Sequence, residues 1–275
     1  MGMVVNFNAA ALNAQRNLQS TGMALNSSIR SLSSGLRINS AADDPSGLVI
    51  SEQMRAQASG LSQAISNSNT GVNMIKTAEG ALNEVNSLLG QMRTLAVHAA
   101  NAGVNSTNDL AADQAAITAA AGSITRIATT TQFNGKALLD GTFTAQQLQI
   151  GSNSTDVIAM SITSNTATTL GVNTLAVGTA AGAAAAITAI DAAITTVSTS
   201  RASLGATQKY TLETTVNSLS VSEENIRSAE STIRDADMSK EMVAYTRNNI
   251  LQQAGTSMLA QANQSSQSVL QLLRG

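Results

Sequence analysis

Apolar residues recur in the N-terminal part of the chain at Leu18, Gly22, Leu25, Ile29, Leu32 and Leu36, separated alternately by four and three. This heptad spacing predicts a helix that presents one seam to a partner helix. After Pro45 a longer stripe runs through Met54, Ala58, Leu61, Ile65, Ser68, Val72, Ile75, Glu79, Leu82, Asn86, Leu89, Arg93 and Ala96. The alternation never slips, which predicts one helix over 46–99, about 80 Å long at about 1.5 Å per residue. The polar run "NSTNDL" offers Asn108 or Asp109 as the cap of a third helix, striped by Leu110, Gln114, Ile117, Ala121, Ile124 and Ala128.

The pattern then changes. "QFNGKALLDGTF" carries Asn134-Gly135 and Asp140-Gly141, dipeptides suited to tight turns. Short strands are expected at Leu148/Ile150 and at Ile158, Met160 and Ile162. Residues 163–182 are rich in Thr, Asn and Gly and show little pattern. Helical spacing resumes at Ile187, Ile190, Ile194, Val197, Arg201, Leu204 and Gln208. It steps by one extra residue to Leu212, Val216, Leu219, Glu223, Ile226, Glu230 and Ile233. That skip, near "QKYTL", predicts a local change of coiling in an otherwise continuous helix. A last stripe comprises Leu251, Ala254, Met258, Gln261, Ser265 and Leu272, flanked by Leu259, Val269 and Leu273.

These elements predict a mainly α protein: an antiparallel long-helix coiled-coil bundle with a small β-rich tip, its N- and C-terminal helices paired. The expected segments are an N-terminal arm with a hinge (1–42), the first half of a rod (43–135), the tip (136–182), the returning rod helix (183–237) and a C-terminal arm (238–275). Each terminal helix needs a partner to cover its stripe, because isolated helices are marginal in water.

The stretch "LSSGLRINSAADDPSGLVIS" interrupts the helices and holds the only proline. Gly35 suits a helix end, and Asp44 followed by Pro45 suits a helix start. The segment therefore reads as a hinge. Adjacent Asp43 and Asp44 also raise acid–base or metal chemistry, but no histidine or third acidic cluster lies nearby in the sequence.

Composition narrows the function. The chain of 275 residues is 43% apolar but only 2% aromatic, which suits narrow helix–helix seams filled by Ala, Ser, Thr and Leu. Charged residues make up 12%, about half the usual share, and such a surface favours self-association. The net charge of −2 comes without a basic stripe, so no nucleic-acid partner is expected. No run of 18 apolar residues occurs, so no membrane partner is expected; "AAGAAAAITAIDAAITTV" is interrupted by Asp191. The N-terminus lacks the basic and apolar regions of a cleavable signal peptide. There is no cysteine, and His98 is the sole histidine. Asp235 and Asp237 fall at a helix junction, where capping outweighs cation binding. Met54, Met92, Met242 and Met258 read as seam padding. No enzymatic activity, metal or cofactor is expected.

Several stretches resemble bacterial flagellin: "LSSGLRINSAADDPSGLVISEQMRAQASGL", "GVNMIKTAEGALNEV", "LAVHAAN", "TQFNGKALLDG", "RASLGATQ" and "SLSVSEENIRSAESTIRDADMSKEMV". The resemblance covers about 1–145 and 186–275, with no room between for large outer domains. It implies a subunit that polymerises into the extracellular flagellar filament for motility, with Leu18, Leu25, Ile29, Leu32, Leu251, Met258, Val269 and Leu272 in the filament core. It also implies unfolded export by the flagellar type III apparatus and assembly with cap and junction proteins. An export chaperone is expected to hold the C-terminal helix at Ile250, Leu251, Leu259 and Leu273. Some flagellins are bound by a host Toll-like receptor at a motif that reads here "LGQMRTLAV". Arg93 and Leu95 match that motif, whereas Gln91 and Ala116 stand where Arg and Glu are usual, implying weakened recognition. Rival readings are a hook–filament junction protein and a chemoreceptor-like signalling coiled coil.

Overall fold

The computed structural model describes residues 7–101 and 103–272, with 265–272 described as helical backbone alone. Its elements are α1 (Ala9–Ser34), α2 (Pro45–Ala99), α3 (Thr107–Thr130), β1 (Gln132–Phe133), β2 (Lys136–Ala137), β3 (Gln146–Gln149), β4 (Val157–Met160), α4 (Ala180–Ala206), a π-helical turn (Thr207–Glu213), α5 (Thr214–Arg234) and α6 (Met238–Leu272). The chain is mainly α and divides into two compact units. One comprises residues 57–224, the other 1–56 with 225–275.

The core of the 57–224 unit joins Ile75, Leu82, Leu89 and Met92 of α2 to Ile117 and Ile124 of α3 and to Ile190 and Val197 of α4. The α3 stripe lies where its spacing places it: Ile117, Ala121, Ile124 and Ala128 are buried, Leu110 and Gln114 half-buried. On α2 Ala58 is buried as expected, but from Ile65 onward every second position of the expected seam is displaced by one residue. Leu61, Ser68, Ile75, Leu82, Leu89 and Ala96 are buried, but Ile65, Val72, Glu79 and Asn86 are half-buried and Arg93 is exposed. Ala64, Gly71, Ala78, Val85 and Met92 take the buried positions instead. A helix covered by several neighbours buries a wider face than a two-stranded seam, and small residues let those neighbours approach. A Cβ on Gly71 would stand 2.7 Å from Leu148 Cδ2 and 3.3 Å from Leu212 Cδ1.

Asn134 (φ 48°) and Gly135 (φ 77°) form the two-residue turn of the β1–β2 hairpin, with both residues in the left-handed region that such turns require. Strands β3 and β4 pair antiparallel with Leu148 opposite Ile158. The unpatterned stretch after β4 belongs to the core: Asn165, Ala167, Leu170, Val172 and Val177 are all buried. Gln114, a polar position of the α3 stripe, clamps it. Its Nε2 donates to the Leu175 carbonyl at 2.8 Å, and its Oε1 accepts from Val177 N at 2.8 Å.

The extra residue near "QKYTL" is absorbed by the π-helical turn, whose wider ring accommodates one more residue. Thr214 Oγ1 accordingly reaches back five residues to the Lys209 carbonyl. Leu204 and Leu212 stay buried on either side. The segment Ala180–Arg234 is long and apolar enough by composition to cross a bilayer. In this fold Ala183, Ala186, Ile190, Ala193 and Val197 are buried core positions.

Candidate assembly surface

In the second unit, α1 and α6 pack along each other. Asn8 caps α1 through Oδ1, which accepts from Ala11 N, while its Nδ2 donates to the Ala262 carbonyl of α6 at 3.0 Å. Leu18, Leu25 and Leu32 are half-buried in this pairing, as is Leu259. The covered stripe of α6 is small and polar: Ala244, Asn248, Gln252, Gly255, Leu259 and Ala262 are half-buried. This corrects the expected stripe. Leu251 and Met258 do not face α1; they lie with Ile250 on the other side, 49%, 64% and 61% exposed. On α1 the covered positions pass through Ser28 and Ser31, leaving Ile29 45% exposed. Ile29 of α1 and Ile250, Leu251 and Met258 of α6 therefore point outward, while Leu18, Leu25, Leu32 and Leu259 face the seam. Val269, Leu272 and Leu273 lie outside the residues whose side chains are described. Met242, Val243, Thr246, Arg247 and Ile250 line a shallow groove of about 440 Å³ on α6.

Between α1 and α2 the chain is tied down by hydrogen bonds. Gly35, at φ 73°, closes α1 in a left-handed conformation that a side chain would strain, and its N–H donates to the Ser31 carbonyl. Arg37 N donates to the Arg234 carbonyl at 2.7 Å, and Ala236 N to the Gly35 carbonyl at 2.9 Å. Asp44 Oδ1 accepts from Gly47 N at 2.9 Å, capping α2 with Pro45 as its first residue. Asp43 Oδ2 accepts from the N–H groups of Asn39 and Ser40, and the Ser40 bonds hold its carboxyl below the usual range. The two acidic side chains thus serve the backbone and do not converge on one ligand. An ion-pair chain follows. Arg234 donates to Glu52 at 2.6 Å and Arg55 to Glu230 at 3.1 Å; the Arg234 bond holds the Glu52 carboxyl low. Asp237 Oδ1 caps α6 by accepting from Ser239 and Lys240 N–H groups.

In the 57–224 unit Gln91, Arg93 and Ala116 are exposed and Leu95 is half-buried. Arg93 is engaged by Asp191, at 2.7 Å to Oδ1, and this bond raises its pKa. His98 Nδ1 lies 2.7 Å from Asp113 Oδ2, a buried acidic partner on α3 that no local sequence signal marks. That hydrogen bond raises the His98 pKa. Among the described residues no group of three metal-ligating side chains occurs.

Two long paired helices that also leave isoleucine, leucine and methionine side chains exposed outside their own seam describe a self-assembling structural subunit. The comparisons with known proteins make this specific. Residues 5–144 match the bacterial flagellin N-terminal helical region and residues 187–273 the bacterial flagellin C-terminal helical region. The chain is 48% identical over 279 residues to a flagellin of Halalkalibacterium halodurans, covering 99% of this chain and all of that one. It is 45% identical over 305 residues to a flagellin of Bacillus subtilis, with the same coverage. The crystal structure of Bacillus cereus flagellin superposes with a TM-score of 0.51 at 27% identity, covering 56% of this chain and 88% of that one. The chain belongs to the bacterial flagellin family and is a subunit of the extracellular flagellar filament, in a short form without large outer domains.

Proposed function

We propose that the outward faces of α1 and α6 are the surfaces by which subunits join in the core of the filament. The observation that carries this is the exposure of Ile29, Ile250, Leu251 and Met258 outside the α1–α6 seam. Leu18, Leu25, Leu32 and Leu259 hold the two helices of one subunit together. Residues 35–44, with Gly35, Asp44 and the following Pro45, act as a hinge between arm and rod, the N-terminal arm with its hinge being 1–42 and the C-terminal arm 238–275.

Before assembly the same apolar face must be kept from aggregating. A flagellar export chaperone holds the C-terminal segment in a groove through Ile250, Leu251, Leu259 and Leu273. The chain then leaves the cell unfolded through the type III apparatus and joins the filament between junction and cap proteins. Its work is mechanical, without catalysis. A host innate receptor recognises it weakly, since Gln91 and Ala116 supply no charge beside Arg93 and Leu95.

Electron microscopy of purified subunits seeded with short filaments in precipitating salt tests the core of this reading. The full chain is expected to give long uniform filaments, and chains lacking 1–36 or 240–275 to give none. Full-length filaments from either truncated chain would refute it.

A further inference from the structure

A filament grows through heterologous contacts, in which one patch of a subunit meets a different patch of the next and the arrangement never closes. The 57–224 unit carries a knob and a socket suited to such a contact. The knob is Tyr210, on the outer side of the π-helical turn and 76% exposed. Only five aromatic residues occur in the chain, two Tyr and three Phe. An aromatic ring left in water on an irregular turn is therefore notable here, and π-helical turns are often found at functional sites. The turn is braced on both sides: Gln208 Nε2 donates to Glu213 Oε1 at 2.9 Å, and Leu212 is fully buried. Tyr210 is thus presented on a fixed backbone.

The socket is a cleft of about 180 Å³ between α2 and the two hairpins. Its apolar lining is Met74, Phe133, Phe143, Leu148 and Met160, and at its polar side lie Lys136 and Gln147. The cleft is smaller than the roughly 300 Å³ at which small-molecule sites begin, so it suits a single side chain better than a free ligand. Methionine and phenylalanine walls favour a ring, by sulfur–aromatic and edge-to-face contacts. Polar groups beside them suit a phenolic hydroxyl. Tyrosine in a desolvated pocket is among the commonest anchors of protein interfaces.

We infer that Tyr210 of one subunit inserts into the cleft lined by Phe133, Phe143 and Met160 of a neighbouring copy, a contact along the filament wall separate from the terminal helices. The inference rests on polymerisation of this chain. Because the protein has no cysteine, the contact can be read directly. Tyr210→Cys and Gln147→Cys subunits, each added as a minor fraction to unaltered subunits, are grown from seeds and then oxidised. A disulfide-linked dimer is expected only when both variants are present in filaments. Normal filaments containing both variants without that dimer would overturn the contact while leaving polymerisation intact; failure of the unaltered subunits to elongate would instead remove its basis and so overturn it too. As an independent arm, Tyr210→Ala is expected to raise the subunit concentration needed for elongation about tenfold or more, with Tyr210→Phe close to the parent. An alanine variant that elongates like the parent would equally sink the proposal.

Discussion

Arg93 of α2 and Asp191 of α4 are joined by a 2.7 Å hydrogen bond from Nε to Oδ1, with Nη2 3.5 Å from Oδ2. Both side chains are about half exposed, so water and salt screen the pair, and it adds little to stability. Its consequence is positional. Arg93 is one of the two residues proposed above to face a host receptor, and Asp191 already engages it. Asp191→Ala is expected to leave the denaturation midpoint near that of the parent while raising the signal in a receptor reporter assay. Gln91→Arg combined with Ala116→Glu should raise it further. A parent chain already as potent as a flagellin carrying both charges would contradict this account.

The start of α2 is held by a cap. Asp44 Oδ1 satisfies the Gly47 N–H at the start of α2, one of the amides that has no partner within the helix. Asp44→Ala is expected to cost about 1 kcal/mol, and Asp44→Asn or Asp44→Ser much less, because both can still accept that bond. Hydrogen exchange should show the loss locally, as faster exchange at Gly47 and Leu48, with the amides around Leu82 and Leu89 unchanged. Uniformly faster exchange along α2 would mean that the segment contributes more than a cap.

His98 and Asp113 make the junction of α2 and α3 sensitive to pH. The hydrogen bond to Asp113 raises the folded pKa of His98 above its ordinary value near 6.5. The stability from this pair is therefore fully present below about pH 6.5 and is lost as pH rises through the folded value. Thermal melts between pH 5 and 9 should show this decline in the parent and not in His98→Gln. A titration of the imidazole proton signals that gave a midpoint at or below the ordinary value would contradict the pairing.

Much of this fold was legible in the chain because most of it is helix with a strict period. The α3 stripe from Leu110 to Ala128 is half-buried or buried throughout, and Asn134-Gly135 makes the hairpin turn its two residue types demand. The misreadings share one cause: spacing locates a face, but the neighbours decide how wide it is. On α2, Ala64, Gly71 and Ala78 look too small to mark a seam, yet they are buried because several elements converge there. On α6, Leu251 and Met258 look like the seam to α1, yet they are exposed because Gly255, Leu259 and Ala262 take the covered positions. The stretch after β4 has no period because single residues such as Leu170 and Val177 are buried from an irregular backbone, which Gln114 clamps at Leu175 and Val177. Asp113 was invisible for the same reason, being brought to His98 by the turn between two helices.

The π-helical turn permits a test that separates register from composition. Leu204, Gln208 and Leu212 follow one another at intervals of four, where a heptad seam would alternate four with three. The wider turn exists to carry that surplus residue. Deleting Lys209 removes the surplus and brings Leu212 to the position a regular α-helix would give it, three residues after Gln208. The shortened chain is expected to melt within a few degrees of the parent, with slightly more helical ellipticity, since the π-helical ring gives way to ordinary α-helical hydrogen bonds. Deleting Thr195 is expected to behave oppositely. It lies within regular α4, so its removal rotates Ile190 and Ala193 relative to Val197 and Leu204 by about 100° and turns one set out of the core. That loss of several buried side chains should abolish cooperative melting of the unit or lower its midpoint by well over ten degrees. If the two deletions were equally damaging, the extra residue would be needed for more than register, and the turn would have to be explained by what Tyr210 and Lys209 touch.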